Sequence, residues 1–458
     1  LQTPSEREAE GKAKGYGRTL EADLQRGESK LSQLKESDGA GNSIGDLEHP
    51  WEKPAADKAH GILLWHAFLE ERFVHGLDED FDYRPVDANE DLDTMLRRDA
   101  QDAWFDDEEP SWIDEDEPSV QAARRQVNSF IMAPLITNIY SADPSAHVFN
   151  GKIYVYPSHD RETDIKFNDN GDQYDMADYH VFSTESLDPP AEVTDHGVVL
   201  KTEDIPWVSK QLWAPDAAEK DGKYFLYFPA RDKQGIFRIG VAVGDKPEGP
   251  FTPDPEPIKG SYSIDPASFV DDDGQGYLYF GGLWGGQLQC YQKGNDIFDP
   301  EWQGPKEVSG EGVPAQGPRV AKLSDDMHQF AGEVQEIQIL APETGKPILG
   351  DDHDRRFFEA AWMHKRNGKY YFSYSTGDTH FLCFAIGDSP LGPFTYGGRI
   401  LEPVLGWTTH HSVVEFKGKT YLFYHDCELS KGVDHLRSVK AKEIFYDDDG
   451  KIITTTAD

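Results

Sequence analysis

The chain has 458 residues, with 84 Asp and Glu against 45 Lys and Arg and a formal net charge of −39. Charge of that sign and size repels nucleic acid and anionic membranes, so neither is an expected partner, whereas a neutral sugar is indifferent to it. Aromatic residues at 12%, 42 glycines and 29 prolines suit an all-β fold with many turns better than a helical bundle.

The first 130 residues read as an acidic extension, largely irregular or partly helical. Residues 1–48 are polar and rich in Glu, Lys and Gln, with little to bury. Between Ala59 and His75 one helical face gathers Ile62, Leu63, Trp65, His66, Leu69 and Phe73, the pattern of a short amphipathic helix. From Asp78 to Glu117 there are 18 acidic residues against three arginines, a composition expected to be solvated and disordered. No apolar run approaches the about 18 residues of a membrane span.

Beyond Met132 one plan repeats five times: an apolar strand, a tight turn with glycine, and a strand rich in Tyr and Phe. The turns are centred on Gly151, Gly222, Gly274, Gly368 and Gly418. Asn-Gly, Asp-Gly and Lys-Gly turns make each unit a hairpin. Third strands are expected at Tyr179–Ser183, Phe237–Val243, Gln287–Gln292 and Phe381–Ile386. The glycine intervals of 71, 52, 94 and 50 residues fit four-stranded blades, two of them enlarged by insertions. Residues 131–458 are therefore expected to form a five-bladed β-propeller. Its three cysteines, Cys290, Cys383 and Cys427, are odd in number and none forms a CxxC pair. They indicate neither a disulfide framework nor a zinc site, and favour a cytoplasmic compartment over secretion.

The repeat also places acids. Asp143 lies eight residues before its turn glycine, and Asp265 and Glu359 lie nine before theirs. Asp216 lies six before Gly222 and His410 eight before Gly418. Equivalent positions in blades around one axis converge, so these side chains should face a common funnel. One carboxylic acid can then protonate a leaving oxygen while an opposed carboxylate deprotonates water, and a third acid keeps the donor protonated by like-charge repulsion.

On these residues the chain resembles the family 43 glycoside hydrolases. The matching stretches are Ser141-Ala-Asp-Pro-Ser145, Leu212-Trp-Ala-Pro-Asp216, Ile264-Asp-Pro-Ala-Ser268, Phe358-Glu-Ala-Ala-Trp362 and His410-His-Ser412, in that order. Around the acid the commoner family pattern is Glu-Gly-Pro, where this chain has Glu359-Ala-Ala. The resemblance implies an inverting glycosidase with Asp143 as general base, Glu359 as general acid and Asp265 tuning and orienting that acid. It implies no cofactor for the chemistry, and a hydrated calcium or sodium ion held by His410 on the propeller axis. The alternative is a His410 that meets only water and the catalytic layer, and His411 competes for the position. Arg437 is expected at the catalytic sugar or the carboxyl cluster, and Trp213, Asp216 and Trp284 at the substrate. His159 and Asp160 are candidates for the rim. The stretches around Asp143 and His159 look most like the exo-acting branch, which points to terminal xylose or arabinofuranose released from hemicellulose fragments.

Competing readings are a non-catalytic carbohydrate-binding propeller, which should have lost one of the three acids, and an endo-arabinanase. Removal of residues 1–125 is expected to leave glycosidase activity and the cooperative unfolding of the remainder intact. Loss of folding in the truncated chain would show that the extension belongs to the catalytic body.

Overall fold

The computed structural model describes residues 134–457 apart from 189–190, 292–296 and 408–409. The expected extension, with its amphipathic helix and acidic run, lies outside the described residues. Five sheets, antiparallel but for one parallel pair, follow one another along the chain as the blades of a five-bladed β-propeller. The first contains β1 (Tyr140–Phe149), β2 (Lys152–Asp160), β3 (Asp178–Thr184) and β4 (Thr194–Lys201). The second contains β5 (Val208–Lys210), β6 (Asp216–Lys220), β7 (Lys223–Asp232), β8 (Phe237–Gly244) and β9 (Thr252–Pro253). The third is β10 (Ala267–Val270), β11 (Gly276–Phe280), β12 (Arg319–Lys322) and β13 (Gln335–Glu336). The fourth is β14 (Ile339–Leu340), β15 (Glu359–Arg366), β16 (Lys369–Ser375), β17 (Leu382–Gly387) and β18 (Phe394–Leu401), with β14 parallel to β18. The fifth has β19 (Ser412–Phe416), β20 (Lys419–Asp426) and β21 (Ser438–Ile444).

Four of the five hairpins close through two residues with positive φ, as at Asn150 and Gly151 with φ of 52° and 78°. That geometry matches the right-handed twist of the flanking strands, and glycine adopts it without a Cβ penalty. The third hairpin uses a longer turn, Asp271 to Gln275, closed by the Gly274 N–H on the Asp271 carbonyl at 2.8 Å. Of the third strand expected at Gln287–Gln292, the described residues 287–291 form none. Single 3-10 turns at Trp284–Gly286 and Leu288–Tyr291 occupy that stretch, and β12 supplies the strand instead. The glycine pairs around Leu283-Trp284 and a left-handed Gln287 at φ 67° break the extended chain there. All four residues from Leu288 to Tyr291 are buried, so the alternation of a strand is missing as well.

Neighbouring blades share their cores around the ring. Tyr154 and Tyr156 of β2 pack with Leu226 and Phe228 of β7, while Ile153 and Val155 on the opposite face pack with Phe423 and Val439 of the fifth blade. Both faces of the inner strands are thus buried, as in β2 and β7, which explains their near-continuous apolar runs in the sequence. The fifth blade has three strands of its own. Its outer edge is covered by the segment entering β1, through Leu135 N–H to the Val439 carbonyl at 2.7 Å and Ser141 N–H to the Arg437 carbonyl at 2.8 Å. The ring is closed by its own first strand, leaving no free edge at the seam. No helix among the described residues is long and apolar enough to cross a membrane.

Polar bonds lock the inner strands together. The buried Asp216 carboxylate at the head of β6 accepts from Ser145 Oγ and His147 Nε2 on β1 and from the amide and hydroxyl of Ser268 on β10. Three blades therefore meet on one side chain that is 1% exposed. This corrects the expectation that Asp216 binds substrate: its oxygens are taken up inside the ring. Asp216→Ala would leave those donors unpaired in a dry interior, and should lower unfolding free energy by about 3–5 kcal/mol. A urea midpoint within error of the wild type would contradict this.

Candidate active site

The three acids placed in register by the repeat converge on one buried well. Asp143 and Glu359 sit at bulges, where β1 slips register between Ala142 and Ser145 and β15 slips between Glu359 and Trp362. A bulge adds one residue to a strand and re-aims the side chain next to it. Asp143, Asp265 and Ala360 have φ of 50°, 56° and 62°, a left-handed conformation that non-glycine residues adopt only when their surroundings over-determine it.

Those surroundings are specific. The Asp143 amide donates to His425 Nδ1 at 3.0 Å, and its Oδ2 accepts from Ser158 Oγ at 2.7 Å. Arg437 reaches Asp143 Oδ1 through Nη1 at 3.1 Å, while Nε and Nη2 grip the two oxygens of Asp160 at 2.8 Å each. Asp265 Oδ2 accepts the Ala360 N–H at 2.7 Å, which ties it to the residue after Glu359. His410 Nδ1 lies 3.9 Å from Asp143 Oδ1 and 3.8 Å from Asp265 Oδ2, between the two carboxylates.

Electrostatics separate the roles. Burial and then the Asp143 charge push the Glu359 carboxyl up to about 8, against the opposing pull of Arg437. Burial, then the charges of Glu359 and Asp143, also drive Asp265 well above its ordinary range. The pair therefore keeps a proton at neutral pH. Asp265 accepts a backbone N–H, which favours its ionised form, whereas Glu359 Oε1 is buried without a partner. The proton belongs to the coupled pair, and the Ala360 N–H on Asp265 favours Glu359 as its carrier.

The remaining expected residues divide. Arg437, 2% exposed, braces Asp143 and stacks over Tyr174 at 4.9 Å. Asp160, expected at the rim, is instead buried beneath that guanidinium. His159 points to the other face of β2 and meets Asp178. Trp213 is 9% exposed, spends its Nε1–H on the Tyr174 carbonyl at 2.8 Å, and packs with Phe237 and Ile264, the residue before Asp265. Trp284 is half-buried beside Phe358 and Trp407, at ring separations of 5.3 and 6.0 Å, next to the residue that precedes Glu359. His411 bonds Ser373 Oγ at 2.7 Å inside the fourth blade, which leaves His410 as the histidine facing the carboxyls. Ser158, Asp160 and His425 were not anticipated in these positions. A partial signal existed: Asp160 lies nine residues after Gly151 and His425 seven after Gly418, both odd offsets that put them on the same face of their second strands.

Residues 133–452 match the family described as Glycosyl hydrolases family 43. The chain belongs to this family. Residues 2–108 separately match the C-terminal region of the coiled-coil domain containing protein 97-like family. The glycosidase is 85% identical over 323 residues to a xylosidase/arabinosidase 43A of Humicola insolens, covering 70% of this chain and 99% of that one. It is 59% identical to a xylosidase/arabinosidase of Bacteroides ovatus, over 70% of this chain and 96% of that protein. Among solved structures it resembles a family 43 β-xylosidase/α-arabinofuranosidase from a compost metagenome in complex with xylotriose. The TM-score is 0.69 and the identity 61%, over 71% and 97% of the two chains.

A cation on the propeller axis was tested against the donors present. His425 uses Nδ1 as an acceptor, so its Nε2 carries the hydrogen and cannot ligate a cation. His410 fits. Burial holds its imidazole neutral, with its pKa pushed down to about 4 despite the Asp143 charge. Its Nδ1 lies 3.8 and 3.9 Å from two carboxylates, and a neutral imidazole has one ring nitrogen with a lone pair for a cation.

The raised Glu359 pKa has two measurable consequences. Activity should fall as pH rises past about 8, because a general acid acts only while protonated. Between the unfolded value of 4.5 and about 8 the folded chain retains a proton that the unfolded chain has released, so stability falls as pH rises through that window. Glu359→Gln should remove the Glu359 share of this loss and leave that of Asp265, melting above the wild type at pH 8 and alike near pH 4. Parallel melting curves across that range would refute the assignment.

Proposed function

We propose that this family 43 hydrolase releases terminal xylose and arabinofuranose from hemicellulose-derived oligosaccharides with inversion. The observation that carries the reading is a buried, proton-retaining Glu359 set against an Asp143 clamped by Arg437. Glu359 gives its proton to the glycosidic oxygen as the bond to the anomeric carbon breaks. Asp143 takes a proton from a water whose oxygen forms the new bond from the opposite face. The departing sugar leaves as an alcohol, and a proton passes back from Asp143 to Glu359 through solvent. Asp265 holds the Ala360 N–H and keeps the acid's strand in place. Its charge also adds to the Asp143 charge in favouring a protonated Glu359.

A neutral oligosaccharide is the substrate this arrangement suits, since the well supplies hydrogen-bonding groups and no spare cation. The names of the relatives support the two sugars, and Xanthomonas citri structures of the same family complexed with xylose and with xylotriose support xylose. The cation suited to His410 would lend fixed positive charge at the floor of the well and steady its neutral imidazole. Proton transfer itself is assigned to the carboxyls.

The test is hydrolysis of p-nitrophenyl β-xyloside, p-nitrophenyl α-arabinofuranoside, xylobiose and linear arabinan, with the product anomer followed by proton NMR. The two aryl glycosides should turn over, and α-xylose should appear first from the β-xyloside. Asp143→Asn should cost about 10²–10⁴-fold on every substrate. Glu359→Gln should cost that on xylobiose and less on the aryl glycosides, whose leaving group needs little protonation. Retained β-configuration would overturn the mechanism. Cleavage of arabinan alone would favour the endo-acting reading, and sugar binding without turnover the lectin reading.

A further inference from the structure

The first blade carries a second group of ligating side chains on the face of β2 opposite Asp160. Ser158 pairs with Tyr179, which sets His159 across from Asp178, with His180 two residues on from Asp178. A directly opposed pair plus a residue two positions along puts three side chains on one sheet face. His159 Nδ1 lies 2.7 Å from Asp178 Oδ1, and His180 Nε2 lies 3.9 Å from the same oxygen. The three donor atoms all fall within 4.8 Å of one another. Their side chains keep 21%, 22% and 13% exposure, so the group is held by packing and still reached from solvent.

The hydrogen-bond pattern at His180 is informative. Its Nδ1 sits 3.0 Å from Asp195 Oδ1, and a carboxylate only accepts, so Nδ1 carries the hydrogen. Asp195 is itself fixed by Asn138 Nδ2 and the Gly197 amide, each at 2.7 Å. The other ring nitrogen of His180, Nε2, faces the Asp178 carboxylate at 3.9 Å. That separation is too long for a hydrogen bond and leaves room for a cation between the two ligating atoms. A histidine whose far nitrogen donates to a carboxylate is the outer-shell arrangement that orients metal-binding imidazoles. Arg161, whose charge reaches Asp178, is already paired with Asp175 at 2.8 Å.

We propose that His159, Asp178 and His180 bind one divalent cation of the zinc class, with a fourth position open to water. Metal bonds of about 2.0–2.2 Å at tetrahedral angles put ligand atoms about 3.3–3.5 Å apart. Two of the donor separations, 2.7 and 3.9 Å, bracket that spacing, and all three donors lie within 4.8 Å, so side-chain adjustment can bring them onto one ion. Two imidazoles and one carboxylate suit zinc, and fall short of the six to eight oxygens calcium takes. This position is separate from the one assigned to His410. A cation here staples β2 to β3 at the strand end that carries Asp160, the partner of Arg437, and its expected effect is on stability.

The experiment titrates Zn2+ into the chelator-treated full chain by calorimetry at pH 7.5, with Co2+ as a spectroscopic probe. One equivalent should bind with micromolar or tighter affinity, Zn2+ should raise the melting temperature, and Co2+ should give the intense visible bands of tetrahedral coordination. His180→Ala and Asp178→Asn should each weaken binding at least tenfold and abolish the bands and the thermal shift, while aryl-xyloside turnover stays within twofold. His180→Gln serves the same purpose if the alanine variant does not fold. Failure of the wild type to bind Zn2+ below millimolar would overturn the proposal. So would unchanged affinity in the variants, which would assign the metal to carboxylates elsewhere in this acidic chain.

Discussion

One guanidinium holds the electrostatics of the active site. Asp143, Asp160, Asp265 and Glu359 are all buried around Arg437, and four ionised carboxylates against a single cation in a dry well would be prohibitively unfavourable. Arg437 is fully engaged by Asp160 and reaches Asp143, so those two carboxylates are compensated where they stand. The remaining excess is relieved most cheaply by a proton kept on the Asp265–Glu359 pair. In the proposed mechanism general base and general acid are thereby separated by their position relative to one arginine, with no need for different residue chemistry.

Local strain accompanies this arrangement and is placed where the chemistry needs it. Bulges at Asp143 and Glu359, and left-handed backbones at Asp143, Asp265 and Ala360, each turn a carboxyl off its strand and into the funnel. Such conformations cost on the order of 1–3 kcal/mol apiece. They persist because the strands on either side are clamped, by inter-blade cores and by braces such as Asp216 at the junction of three blades. The ring is closed by its own entering segment, so strain at the first blade cannot be released by fraying at the seam.

The stability of the well and its reactivity therefore oppose one another. A carboxyl held neutral by burial makes a competent acid near neutral pH, and the same burial makes the folded state less stable as pH rises. Opposed contributions of this kind are expected wherever a catalytic proton is held by desolvation.

Much of this architecture was legible in the amino-acid order. Hairpin turns with Asn-Gly or Asp-Gly, repeated with a strand on either side, specify blades because their backbone conformation is local. The register of Asp143, Asp265 and Glu359 against the turn glycines is a one-dimensional consequence of the repeat. What depended on three-dimensional closure was not legible. Asp216 carries the same offset logic and looks like a fourth site acid, yet its oxygens are consumed by Ser145, His147 and Ser268, contacts that exist only once three blades meet. Asp160 looks like a rim residue until Arg437, 277 residues away in the chain, folds over it. The strand expected at Gln287–Gln292 was lost to glycines whose conformational freedom a periodicity reading does not weigh. Local backbone chemistry is written residue by residue. Which polar groups satisfy one another, and so which carboxyl is left able to hold a proton, is decided only by the packing that excludes water.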